Sequence, residues 1–176
     1  MKKIVFYGSG NISQALISGL LSAGYKKNLI EFIDRNKINS RKTKKLGATK
    51  TNLKTIDTKS IIFLGVKPKD AINAYAEICA VVKKPKIVSL VAGIKSNKYL
   101  SESKDVELIR AMPNTSSQFN KGITAICNCN ANKTTFNQVS SIFKKVGTTV
   151  DITKENQIDD FTGLIGSGPA YFFYLL

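Results

Sequence analysis

Short apolar runs recur along this chain, each broken by glycine, proline or asparagine and most followed by an apolar stripe at helical spacing. Ile4 to Tyr7 is the first. It ends in Gly8-x-Gly10, after which Ile12, Ala15, Leu16, Gly19 and Leu20 share one helical face. Leu29 to Ile33 predicts a second strand, Asn36 to Leu46 a helix closed by Gly47, and Thr49 to Thr51 a short strand before a turn at Asn52. Ile61 to Val66 is continuously apolar, as a parallel strand covered on both faces requires, and breaks at Lys67-Pro68. From Lys69 to about Val82 a helix turns Ala71, Ile72, Tyr75, Ile78 and Val82 inward. Lys86 to Gly93 and Val106 to Ala111 predict two more buried strands.

Strands alternating with helices predict an α/β fold: a Rossmann-like, doubly wound, mostly parallel sheet with right-handed connections. Gly122 to Cys129, a helix over Thr134 to Lys145 and a strand over Thr148 to Ile152 extend that sheet. The pattern allows one of these strands to run antiparallel. Asn156 to Ile165 reads as a helix, and Gly166-Ser167-Gly168-Pro169 resets the chain before a further helix, Ala170 to Leu176, that is almost wholly apolar. The expected organisation is a dinucleotide-binding domain over residues 1–153 and the start of an all-helical domain over 154–176. A partner subunit, or chain beyond residue 176, would have to cover that last helix.

The opening strand, turn and helix carry the chemistry. A helix N-terminus presents amides with no intrahelical partner and the positive end of its dipole, which together attract a diphosphate. Gly8 permits the sharp turn, Gly10 leaves room for a pyrophosphate, and Ser13 is small enough for close helix–strand packing. The second strand ends in Asp34-Arg35, at the distance expected of a ribose-reading residue. An acid there suits the ribose 2′-hydroxyl of NADH. Arg35, with Lys37, Arg41 and Lys42 nearby, suits the 2′-phosphate of NADPH and tilts the choice that way without closing it.

Composition narrows the field. With 176 residues, 43% of them hydrophobic, the chain can bury a substantial core, and its longest apolar runs are too short to span a bilayer. No cleavable signal pattern precedes the glycine turn, so a cytoplasmic protein without a membrane partner is expected. The net charge of +15 raises nucleic-acid binding as a candidate. Only Arg35, Arg41 and Arg110 are arginines, however, and the lysines are scattered rather than interleaved with aromatics; a solvated basic surface is expected and no nucleic-acid partner. Cys79, Cys127 and Cys129 read as reduced structural thiols, and with no histidine in the chain no metal site is expected.

Gly8-Ser9-Gly10-Asn11-Ile12, Val66-Lys67-Pro68, Val91-Ala92-Gly93-Ile94, Arg110-Ala111-Met112-Pro113-Asn114-Thr115, Gly122-Ile123-Thr124 and Gly166-Ser167-Gly168-Pro169-Ala170-Tyr171 follow one another along the whole chain. In that order they resemble the pyrroline-5-carboxylate reductases. The resemblance implies NAD(P)H-dependent reduction of 1-pyrroline-5-carboxylate to L-proline, the last step of proline biosynthesis. It implies cofactor contacts from Gly8, Ser9, Gly10, Asn11, Ile12 and Ser13, from Asp34, Arg35 and Asn52, and from Val66, Lys67, Pro68, Ala92 and Gly93. Met112, Pro113 and Asn114 correspond to the loop beside the nicotinamide, and Ser167 is placed near substrate. The family continues into a helical domain that interlocks two subunits and supplies most of the substrate site. This chain holds little of it, and a homo-oligomer formed through that domain is the expected assembly.

Chemistry independent of the family points the same way. Without histidine, Ser–His and Cys–His nucleophile arrangements are excluded. A protonated cyclic imine accepts hydride at carbon with no strong enzymic base, so the protein's part is positioning and water exclusion. The Ser167 and Thr115 hydroxyls could orient substrate or serve only as a helix cap and a turn hydroxyl; no catalytic group is assigned. Two alternatives stand: another NADP-dependent oxidoreductase of this fold, or a non-catalytic dinucleotide-binding module.

Overall fold

The computed structural model describes residues 1–167, the last two by backbone only; the expected final helix, with Pro169 and Tyr171, lies outside them. Eight strands form one sheet. β1 (Ile4–Tyr7), β2 (Ile30–Ile33), β3 (Thr49–Lys50), β4 (Ile61–Leu64), β5 (Lys86–Ser89), β6 (Glu107–Met112), β7 (Gly122–Asn128) and β8 (Gly147–Ile152) lie in the order β3-β2-β1-β4-β5-β6-β7-β8. The helices are α1 (Asn11–Ser22), α2 (Lys37–Leu46), α3 (Ala71–Val81), α4 (Ser96–Glu102), α5 (Lys133–Phe143) and α6 (Gln157–Phe161).

Strand alternation sorts the core into two layers. Ile4 and Phe6 of β1, with Ile61 and Phe63 of β4, face Leu16, Ile17 and Leu20 of α1 and Val139, Ile142 and Phe143 of α5. Val5, Tyr7, Ile62 and Leu64 face the other way, onto Ala74, Tyr75 and Ile78 of α3 and Tyr99 of α4. The first layer is tied by aromatic contacts: Phe6 stacks on Phe63 with ring centroids 5.0 Å apart, and Phe63 meets Phe143 edge-on at 5.7 Å. Because β1 and β4 are apolar at every position, both faces can be buried.

Antiparallel pairing falls on β6–β7 alone among the eight strands. The connection over residues 113–121 is shorter than the dozen or so residues a parallel crossover needs, so the chain must reverse. Asn120, in the left-handed region at φ 58°, makes the reversal, and its side-chain amide donates to the Gly19 and Lys145 carbonyls at 2.8 and 3.0 Å. Two sequence expectations need correction. The strand read as Lys86 to Gly93 ends at Ser89, since Val91-Ala92-Gly93 leaves the sheet on the way to α4, a helix that periodicity did not predict. The helix read as Asn156 to Ile165 is α-helical only over α6; from Thr162 it widens into i→i+5 turns, where the Thr162 hydroxyl donates back to the Ile158 carbonyl at 2.7 Å.

A buried charge joins the sheet to the segment after β8. Arg110 of β6 is 1% exposed and its Nη1 donates to Glu155 Oε1 at 2.9 Å. Glu155 also accepts from the Ser96 amide at 2.6 Å and the Ser96 hydroxyl at 2.7 Å, at the start of α4. Burial acts to raise the Glu155 carboxyl, but the Ser96 hydrogen bonds and the Arg110 guanidinium outweigh it and hold the group below its ordinary value. A depressed native carboxyl contributes stability above its unfolded pKa of about 4.3 and loses that contribution as pH falls through the native value. Glu155→Gln, which leaves a buried guanidinium short of its partner, should therefore cost roughly 3 kcal/mol at neutral pH. Its urea midpoint should fall less steeply than that of the unmodified chain on acidification below pH of about 4.

Candidate functional site

The sheet changes winding direction between β1 and β4: from β1 the chain moves out to β2 and β3, then returns to place β4 on β1's other side. In open α/β sheets the crevice beyond the carboxyl ends at such a switch is where ligands bind. A cavity of about 480 Å³ lies there, lined by the Gly8–Gly10 turn, the Asp34–Asn36 end of β2, the Gly65–Lys67 turn after β4 and one side of α3.

The turn is built by interlocking backbones. Gly8 has φ 91°, and a Cβ on it would sit 2.7 Å from the Gly65 carbonyl oxygen. A Cβ on Gly65 would in turn collide with the Ser13 hydroxyl. That hydroxyl is fully buried and donates to the Gly8 carbonyl at 2.7 Å, so the small residue expected for close packing also ties the helix to the turn. Gln14 Nε2 donates to the Ser9 carbonyl at 2.6 Å. Gly10 differs: a Cβ there would meet nothing within 4 Å. No side chain caps α1, so the first-turn amides have no side-chain partner; Asn11 is exposed and Ile12 half-buried there, while Ser13 is fully buried.

Asp34 has work beyond any ligand. Its Oδ2 accepts from the Ser9 amide at 2.7 Å and the Ser9 hydroxyl at 2.8 Å, while Oδ1 accepts from the Asn36 amide at 2.7 Å. A carboxylate has roughly four acceptor positions, so about one, on Oδ1, is left over. Across the cavity, Arg35 Nη2 donates to Glu77 Oε1 of α3 at 2.6 Å, and the Tyr7 phenol donates to Glu77 Oε2. Burial and the neighbouring carboxylate push the Tyr7 phenol up to about 12, so it remains a donor; the Tyr7 and Arg35 hydrogen bonds hold the Glu77 carboxyl below its usual range.

Of the residues singled out from the sequence, Gly8, Ser9, Gly10, Asp34, Arg35, Val66 and Lys67 line this cavity. Asn11, Ile12 and Ser13 form the first turn of α1 behind it, and Pro68 opens the short turn leading to α3. Ala92-Gly93 follows β5, and Met112-Pro113-Asn114 closes β6, both at the same carboxyl edge but outside the cavity wall. Asn114 Oδ1 accepts from the Ile123 amide at 3.1 Å. Asn52 is exposed and away from the wall, its side chain accepting from the Lys54 amide at 3.0 Å. The Ser167 side chain lies outside the described residues. Tyr7, Gln14 and Glu77 were not anticipated. Asp70, just ahead of α3, and Asn73 and Glu77 on it recur at i, i+3 and i+7 and form a polar stripe that helical spacing could have revealed. The three cysteines are free; burial raises each thiol, that of Cys129 to about 12. Among the described residues no helix is long and apolar enough to cross a membrane.

The two glycines of the turn should respond oppositely to one added methyl. Gly8→Ala should cost about 1–3 kcal/mol from the left-handed backbone and the clash with Gly65. Gly10→Ala should leave the urea midpoint near that of the unmodified chain.

Comparison with known proteins agrees with this architecture. Residues 3–93 match the family described as NADP oxidoreductase coenzyme F420-dependent. Pyrroline-5-carboxylate reductase 1 of Bacillus subtilis is 32% identical over 194 residues, spanning 99% of this chain and 61% of its own length. The pyrroline-5-carboxylate reductase of Pasteurella multocida is 31% identical, spanning 99% of this chain and 67% of its own. The solved structure of a pyrroline-5-carboxylate reductase from Coxiella burnetii superposes with a TM-score of 0.89 at 29% identity, covering 99% of this chain and 67% of that one. A pyrroline carboxylate reductase of Plasmodium falciparum, solved with NADP bound, gives 0.85 at 26% identity, covering 99% and 66%. The chain thus spans 61% of the length of the Bacillus relative. With an N-terminal half that fits the NADP oxidoreductase family and similarity running its full length, the chain belongs to the pyrroline-5-carboxylate reductase family.

Proposed function

We propose that this chain binds NADPH, with NADH as the alternative, in the cavity between the glycine turn and α3, and forms the cofactor-binding part of an enzyme reducing 1-pyrroline-5-carboxylate to L-proline in proline biosynthesis. The observation that carries the reading is the uncapped start of α1 behind an unobstructed Gly10, at the sheet's switch point. Amides of Asn11 and Ile12 would hold the diphosphate, since unpaired helix-terminal donors and the helix dipole favour anionic oxygens, and the buried Ser13 joins them on the family pattern. The remaining acceptor of Asp34 suits a ribose hydroxyl, and Arg35 and Lys67 suit phosphate. Asn52, Val66, Pro68, Ala92 and Gly93 are included as cofactor contacts on the strength of the family pattern. Met112, Pro113, Asn114 and Ser167 are included on the same ground as residues near substrate.

Bound NADPH supplies a hydride for the imine carbon. The chain's own part is to orient: the glycine turn is held on both sides by Ser13, Gln14 and Asp34, which would set the place of the phosphates before any ligand arrives. A protonated imine is already electrophilic, so the cofactor-binding part need not bring a histidine to it. Residues 1–153 form the dinucleotide-binding unit in this reading, 154–176 begin a helical region, and two copies assemble through that region to complete the substrate site.

Mixing the protein with NADPH and 1-pyrroline-5-carboxylate should consume the absorbance of the reduced nicotinamide as proline appears. Binding of NADPH without turnover would instead support a module that only holds the cofactor. Gly10→Ala, unchanged in stability, should weaken NADPH binding at least about tenfold by intruding where the pyrophosphate approaches; unaltered affinity, read by nicotinamide fluorescence, would remove the basis of the assignment.

A further inference from the structure

Although the chain as a whole carries a net charge of +15, the cavity wall holds three carboxylates, Asp34, Asp70 and Glu77, against two cations, Arg35 and Lys67. Glu77 stands apart from the other two acids. One oxygen takes the Arg35 guanidinium at 2.6 Å and the other takes the phenol of Tyr7. An ion pair as exposed as Arg35–Glu77 contributes little by itself, partly because both side chains must be ordered to make it. Tyr7 changes that balance. It is only 7% exposed and belongs to the central strand β1, so the carboxylate is anchored to the sheet and Arg35 is the more exposed partner.

Resting on the dinucleotide reading of this cavity, we infer that Glu77, held by Tyr7, is a specificity-determining residue that competes with a 2′-phosphate for Arg35 and keeps an unphosphorylated ribose acceptable. A 2′-phosphate needs the guanidinium, since a bidentate Arg contact is its natural partner, and it is repelled by a carboxylate beside that guanidinium. A 2′-hydroxyl needs neither. It can be met by the free acceptor position on Asp34 Oδ1, which the Ser9 and Asn36 hydrogen bonds leave in place. Neutralising Glu77 therefore acts on one cofactor and leaves the other nearly untouched. The phenol stays protonated and the carboxylate ionised at neutral pH, so the arrangement persists under ordinary conditions.

The test is a titration of the full chain and of Glu77→Gln, Tyr7→Phe and the double variant R35A/E77Q with NADPH and with NADH, followed by nicotinamide fluorescence. Glu77→Gln should raise the ratio of NADPH to NADH affinity about five- to tenfold, the response to roughly one kcal/mol of released competition. Tyr7→Phe should move the ratio in the same direction by less, and provides a second reading should the first variant fold poorly. The double variant should show no gain. A ratio unchanged or lowered in Glu77→Gln overturns the inference, because Glu77 would then merely orient Arg35. A gain that survives in R35A/E77Q overturns it too, since charge alone would explain it. If the unmodified chain binds neither cofactor, the dinucleotide reading falls and takes this inference with it; binding of both with an unmoved ratio sinks only the role of Glu77.

Discussion

The contact between two glycine backbones, Gly8 after β1 and Gly65 after β4, sets the geometry of everything at the carboxyl edge of the sheet. At 2.7 Å from a would-be Cβ, the Gly65 carbonyl leaves no room for any side chain at residue 8. Because the two turns press together, α1 starts directly behind them and the buried Ser13 hydroxyl can reach the Gly8 carbonyl. The same closeness brings Ser9 against Asp34 at the end of β2. Three neighbouring strands, β2, β1 and β4, are thereby locked at one point by short polar contacts on a sheet otherwise held by apolar burial.

This organisation divides labour within a small space. Ser13, Gln14 and much of Asp34 hold the turn, leaving Gly10 and the first amides of α1 unencumbered. A preorganised donor set costs no ordering when a ligand arrives, which is the general advantage of rigid sites. Charge is partitioned in a similar way: lysines cover α2 and the outer surface, while the cavity wall keeps its acids. Net charge therefore describes how the molecule attracts anions at a distance, and the local pairs decide what is held.

Much of the fold was legible because its signals are local. β1 and β4 announce themselves as unbroken apolar runs, and the glycine turn, Asp34 and Asn36 at the cap of α2 follow rules spanning a few residues. The elements that escaped depend on distant partners. α4 offers one fully buried side chain, Tyr99, too little for periodicity to register, and it is secured by the Tyr99–Ser89 hydroxyl contact and by Glu155. The direction of β7 depended on the length of its connection to β6 more than on composition. Within the site, Tyr7 reads as one more apolar strand residue; only the fold shows that its hydroxyl reaches α3 seventy positions away. Most family-pattern residues fall along one edge of the sheet, but Asn52 does not join the cavity wall, and the role of an exposed turn residue is not encoded in its neighbours.

Glu155 connects three parts of the chain, beside the longer contact of Arg110 with Asp159 of α6 at 3.9 Å. It grips β6 through Arg110 and the entrance of α4 through Ser96, while its own backbone leads from β8 into α6. Ser96 begins α4, at the end of the loop that leaves β5 and carries Ala92 and Gly93, so one carboxylate ties that loop to the segment beyond β8. A single carboxylate works here as a clasp, holding the chain after β8 against the edge of the sheet that carries the candidate site.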